Sequence, residues 1–146
     1  MSIQHSIDRI TDILRRDDGI SGAMHYTEQI SWILFLKFLN DYEDNRADEA
    51  FLEGRDYNYV LRKDLRWNEW ASPKDENGKL DVKRALTGDD LIEFVNNSFF
   101  PYLKAFKSST NDPKTITYKI GAIFEYLDNR IASGHTLREV LDIIDG

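Results

Sequence analysis

Between Tyr26 and Tyr42 the chain reads YTEQISWILFLKFLNDY, and no other stretch restricts the fold as much. A 3.6-residue period puts Tyr26, Ile30, Ile33 and Leu34 on one face, continued by Phe38 and Leu39, with Trp32, Phe35 and Leu36 on the flanks. A helix that apolar on most sides belongs inside a bundle or in a bilayer. The bilayer is excluded: the longest unbroken apolar run, Trp32 to Leu36, falls far short of the roughly 20 residues a span needs, and Glu28, Lys37 and Asp41 bracket it. The expectation is a mainly α fold, a compact bundle around a central buried helix over 26–42. Its core-forming residues are Ile30, Trp32, Ile33, Leu34, Phe35, Leu36, Phe38 and Leu39. Thr27 is the expected N-cap, with Glu28 in the first turn.

A length of 146 residues suits one domain with a real core. There are no cysteines, which removes a disulfide scaffold, thiolate chemistry and cysteine-ligated zinc. The N-terminus MSIQHSIDRI lacks the charged region and apolar run of a secretory signal, and a cytoplasmic protein with no membrane association is the natural reading. The net charge of −7 is unlike the basic balance of a freestanding nucleic-acid binder. It is unevenly spread: residues 1–60 hold 6 Lys/Arg against 12 Asp/Glu, residues 61–146 hold 13 against 14. Within 101–124, Lys104, Lys107, Lys114 and Lys119 face only Asp112, the one basic window on offer.

Around the central helix the pattern predicts further helices. Ile3, Ile7, Ile10 and Leu14 form a narrow stripe on a first helix from Ser2 to Arg16, stopped by Gly19. Residues 43–56, EDNRADEAFLEGRD, read as a solvated helix end and loop. Tyr57 to Trp70 hold no single period and read as a short irregular or two-stranded aromatic segment laid over the bundle. Its tryptophans, near Arg62, Lys63 and Arg66, serve packing or, alternatively, base stacking. Residues 72–79 form a turn. A helix starts at Thr87, whose spacing to Asp90 resembles a capping box, and Pro101 kinks or splits it. SSTND at 108–112 is a polar loop. A helix led by Pro113 carries Ile116, Ile120, Ile123 and Leu127 to about Arg130, and a last one follows Ser133-Gly134 with a Thr136–Glu139 capping box. The chain ends on Asp145-Gly146 with no closing element, which reads as a boundary inside a longer protein.

The chemistry that is missing is equally informative. No two of the eight glycines are two apart, so neither a Rossmann-type nucleotide site nor an S-adenosylmethionine loop of that kind is present, and no P-loop occurs. His5, His25 and His135 are scattered without metal-ligand spacing. The pairs Asp17-Asp18 and Asp89-Asp90 read as helix-end chemistry. The residues by themselves describe an acidic helical domain without catalytic, cofactor-binding or metal-binding residues.

Five blocks carry a resemblance: ILRRDDGIS followed by YTEQISWILFLKFLND, then LRWNEWA at 65–71, LTGDDLIEFVNNSFFPYLKAF at 86–106, and IFEYLDNRIASGHTLREVLDIID at 123–145. In order and spacing they resemble the N-terminal helical domain of the modification subunit of type I restriction-modification enzymes. The resemblance implies a single N-terminal domain over 1–146, followed in the full-length protein by a catalytic domain that moves methyl from S-adenosylmethionine to adenine N6. It also implies partners: that catalytic domain, a specificity subunit, a second modification subunit and double-stranded DNA. Neither the glycine-rich cofactor loop nor the Asn-Pro-Pro-aromatic motif of that family lies in this chain. Lys104, Lys107, Lys114 and Lys119 are then candidates for DNA-phosphate contacts. The competing reading is an acidic helical adaptor that binds a basic protein and never meets DNA.

Overall fold

A computed structural model describes residues 3–108 and 112–146. The fold is mainly α, and its backbone is the 30-residue helix α2, Ala23–Leu52. Around it lie α1, Ile3–Leu14, and after a long connection the single turn α3, Trp67–Trp70. Next come α4, Gly88–Phe94, and α5, Phe100–Lys104, then α6, Ile116–Phe124, and α7, Gly134–Asp145. Among the described residues no helix is long and apolar enough to cross a membrane, and the one β-bridge joins Lys74 to Leu80. The expected helix start at Ser2 and most of the 108–112 loop lie outside the described residues.

The centre of the core is aromatic. Trp32 of α2 meets Phe100 of α5 edge-on at 5.0 Å, Phe100 meets Phe124 of α6 at 5.5 Å, and Phe35 of α2 extends the chain of rings at 6.0 Å from Phe124. Ile30, Trp32, Ile33, Leu36 and Leu39 are buried, and Phe35 is half-buried. Leu34 and Phe38, expected in the core, are instead 41% and 67% exposed. The two lie mid-helix between buried Ile33, Leu36 and Leu39, so it is the side of α2 they face, and not its length, that leaves them open.

Four elements depart from the sequence pattern, two of them because groups from elsewhere in the chain meet their backbone or side chains. The central helix extends beyond 26–42 in both directions: its N-cap is Gly22, at φ +93°, rather than Thr27, and its C-terminus lies at Leu52. The charged run after Tyr42 is therefore helical as far as Leu52, and only 53–56 form the expected loop. Two of its acids hold the aromatic segment: Glu43 accepts hydrogen bonds from the Tyr57 hydroxyl (2.8 Å) and the Val60 amide (3.1 Å), and Asp44 accepts from the Tyr59 hydroxyl (3.0 Å). Near Pro101 the helix stays continuous through a widened turn at Val95–Phe99, in which the Phe100 amide donates to the Val95 carbonyl. That shift of register accommodates the missing proline N–H. The helix begins with Thr87 as N-cap, but its side chain makes no capping bond. At α7 the cap is Ser133, whose hydroxyl accepts from the Thr136 amide at 3.3 Å, so Thr136 lies inside the first turn and the predicted box does not form.

The fourth is α6, which ends at Phe124 rather than near Arg130. The stretch that follows gives up its helical ladder because its backbone groups are met from outside. Lys104 Nζ donates to the carbonyls of Phe124 (3.0 Å), Glu125 (3.2 Å) and Leu127 (2.9 Å). Fully buried Gln29 donates to the Asp128 carbonyl (3.1 Å) and accepts from the Arg130 amide (3.1 Å) and from Trp32 Nε1 (2.8 Å). Buried Asp17 accepts from the amides of Gly19, Ala132 and Ser133 at 2.8–3.0 Å. The starts of α4 and α7 come so close that a Cβ on Gly134 would strike the Gly88 backbone.

The aromatic segment is a mixture of irregular chain, a 3₁₀ turn at Lys63–Leu65 and α3. Trp67 and Trp70 are buried and their N–H groups are spoken for, by Asp145 Oδ1 (2.8 Å) and the Leu65 carbonyl (2.9 Å). They are packing residues, with no ring face open for base stacking. Arg138 fastens this region to α7, donating to the carbonyls of Leu86 and Ala71 and to Asp142.

Two consequences can be measured. Gln29→Leu conserves volume but strands the Trp32 indole, the Arg130 amide and the Asp128 carbonyl, and should cost about 3 kcal/mol in urea unfolding. Burial pushes the Asp145 carboxyl up, but hydrogen bonds from Lys74, Trp67 and Ser72 outweigh it and hold the group below its ordinary value. A depressed carboxylate stabilises above its unfolded pKa, and the contribution is lost as pH falls through the folded one. Thermal stability should therefore drop more steeply below about pH 4 in the wild type than in Asp145→Asn.

Candidate functional site

The helix order places the four candidate lysines in two different environments. Lys104 and Lys107 end the helical run from Gly88, and α6 packs back across that end with no room to spare: a Cβ on Gly121 would meet the Lys107 backbone. Lys104 is consequently drawn inward onto the three carbonyls at the end of α6, where a cation complements the helix dipole, and it pairs with Asp128 at 3.2 Å. Lys107 pairs with Glu125 at 2.6 Å, and that hydrogen bond raises its pKa. Both charges are spent within the fold. Lys114, just before α6, and Lys119, on its outer face, are exposed and have no ion-pair partner among the described residues.

Lys119 does not stand on a purely polar face. Ile116 and Ile123 recur at i−3 and i+4 from it and are exposed, and Tyr126, just beyond the end of α6, is 89% exposed. A second open apolar stripe runs along α2 through Leu34, Phe38 and Tyr42, where Phe38 and Tyr42 stack at 6.4 Å. Tyr42 also borders a groove of about 380 Å³ with Arg46, Arg55, Tyr57 and Ile116. In that groove Glu43 is buried against Tyr57, and burial followed by the Glu43 hydrogen bond pushes the tyrosine up to about 12. Tyr57 is thus a fixed donor near neutral pH.

His25, His135 and Asp17 are committed to structure. His25 Nδ1 accepts the Ser21 amide (3.0 Å) at the start of α2, and His135 pairs with Glu139 across one turn (2.8 Å). Asp17 is more than helix-end chemistry, since it binds backbone more than a hundred positions away. No group of three or more His, Cys, Asp or Glu among the described residues is placed to hold a metal ion. What the surface offers is two exposed lysines beside α6 and open apolar faces on α2 and α6. Such an arrangement suits contact with macromolecules better than bond chemistry.

The profile of the HsdM N-terminal domain matches residues 3–144, the whole helical array from α1 to α7. The chain belongs to the HsdM N-terminal domain family. It is 32% identical over 142 residues to the type I restriction enzyme EcoEI methylase subunit of Escherichia coli, covering 97% of this chain and 26% of that one. A crystal structure of a modification subunit from Vibrio vulnificus YJ016 superposes with a TM-score of 0.82 at 31% identity, over 98% of this chain and 30% of that one. A chain from a structural study of complex assembly and conformational transition in the type I R-M system gives 0.73 at 29% identity, over 98% and 25%. The HsdM N-terminal domain here thus spans between a quarter and a third of the length of these methylase and modification subunits.

The two lysine environments predict different responses. Lys104→Met should lower stability by about 2 kcal/mol, since three carbonyls lose a charged donor. Lys119→Glu should stay within about 0.5 kcal/mol of the wild type. Paired urea melts measure both.

Proposed function

We propose that this chain is the non-catalytic helical N-terminal domain of a type I DNA adenine-N6 methyltransferase subunit. In the assembled enzyme it helps to enclose double-stranded DNA and contacts its own catalytic domain, a specificity subunit and a second modification subunit. The observation that carries the reading is the family match from residue 3 to residue 144, supported by a TM-score of 0.82 to a modification subunit. Such an enzyme works where the DNA is, in the cytoplasm.

The methyl donor of the full-length protein would be S-adenosylmethionine, and the residues present here do not fit it. A nucleotide cofactor needs glycines spaced so that one stretch of backbone can approach it: Gly19, Gly121 and Gly134 are covered by the chain's own backbone, and the open ones, Gly22, Gly54, Gly78 and Gly88, are scattered with no two of them two apart. The cofactor and the extruded adenine belong to the catalytic domain. The role left to the helical domain is positional: apolar faces for neighbouring protein, and Lys114 and Lys119 for DNA phosphates.

The test is to read the open reading frame past Gly146. A glycine-rich loop and an Asn-Pro-Pro-Phe or Asn-Pro-Pro-Tyr motif downstream support the reading, and a stop codon at once leaves the acidic adaptor in its place. In the full enzyme, Lys114→Glu with Lys119→Glu should weaken DNA binding for all sequences alike and make the plot of log affinity against log salt shallower by about 2. Unchanged affinity and slope would remove both lysines from the DNA surface.

A further inference from the structure

We infer that the apolar groove where α1, α2 and α7 meet seats the polypeptide that continues beyond Gly146 in the full-length subunit. The inference rests on the reading of this chain as the N-terminal part of a longer modification subunit. The groove holds about 240 Å³, its walls are Ile3, Ile7, Leu34, Ile143 and Ile144, and Gly146 lies on its rim. Ile3 and Leu34 are exposed, while Ile7, Ile143 and Ile144 are half-buried over buried Ile10. Large aliphatic side chains thus converge from three helices on one open spot. Single exposed apolar residues are ordinary, whereas a converging set marks a contact surface.

Position names the occupant. In the relatives the matched region is only 26–30% of the polypeptide, so most of the chain lies outside it. The exit is fixed, because Asp145 is clamped by Trp67 and Lys74 and lies 3.6 Å from Lys37. The next residue, Gly146, borders both this groove and an adjoining hollow of about 500 Å³ lined by Ser6, Arg9, Glu139 and Asp142. A segment tethered there has an effective concentration on the order of millimolar and needs few contacts to win over a separate partner. The chemistry that fits is an aliphatic or aromatic pair set down on Leu34 and Ile143. A carboxylate or carbonyl beside it would meet Arg9, which has no ion-pair partner among the described residues.

Hydrogen exchange on the full-length subunit tests this. Leu34→Asp should speed exchange about tenfold in the stretch after Gly146, while the core amides of Leu103 and Val140 keep their protection. Leu34→Ser is the milder variant should the aspartate disturb folding. Unchanged exchange after Gly146 in a variant with an intact core overturns the inference. So does protection of Ile3 and Ile7 that appears only at high protein concentration or on adding the specificity subunit, which would assign the groove to a second copy or to that subunit. A reading frame ending at Gly146 overturns this inference together with the proposed function, whereas unchanged exchange overturns this one alone.

Discussion

Gln29 is the polar residue on which the arrangement turns. It sits fully buried on α2, one turn from Trp32, and its amide group joins the central tryptophan to backbone at Asp128 and Arg130. A buried amide is favourable only when its donors and acceptors are met, and here two of the three partners are backbone groups with no helical alternative. The stretch from Glu125 to Ser133 can therefore cross the bundle without regular structure. Asp17 and Lys104 hold its two ends in the same way. No buried side-chain polar atom among the described residues lacks a hydrogen-bond partner.

Where the sequence was legible, the signal was periodic. The apolar run 30–39, the stripe ending at Ile10 and Leu14, and the pattern of Leu137, Val140 and Leu141 all mark helices whose buried sides are local properties. What periodicity could not show is which partner reaches which face. Leu34 and Phe38 satisfy the helical pattern as well as Ile33 does, yet they stand 41% and 67% exposed. The extension of α2 through Glu43 and Asp44 was hidden because its support comes from tyrosine hydroxyls beyond Gly54. The early end of α6 was hidden likewise, since Ile116, Ile120, Ile123 and Leu127 keep a helical period past the point where Lys104 takes over the carbonyls. A polar Gln29 on an otherwise apolar face was the one visible hint of a buried network. Asp17 gave none.

The candidate surface was legible only as a charge pattern. Four lysines in one window looked like one basic face, but two of them neutralise a helix end and a glutamate. The remaining pair stands beside exposed isoleucines, so the surface is mixed in chemistry. That mixture supports the proposed role of a domain that contacts other parts of an enzyme and leaves the chemistry to them. The acidic net charge agrees with that role, since a domain relying on its own DNA affinity would ordinarily carry a basic balance.

The central claim is that this domain positions DNA and contributes nothing to cofactor binding. The most direct measurement is to delete residues 1–146 from the full-length subunit, assemble the rest with its specificity subunit, and follow S-adenosylmethionine binding and DNA methylation side by side. The account predicts cofactor affinity unchanged within about twofold, since the proposed function assigns the cofactor to the catalytic domain, with methyl transfer to DNA lost. Cofactor binding lost with the domain, or methylation retained without it, would contradict the account.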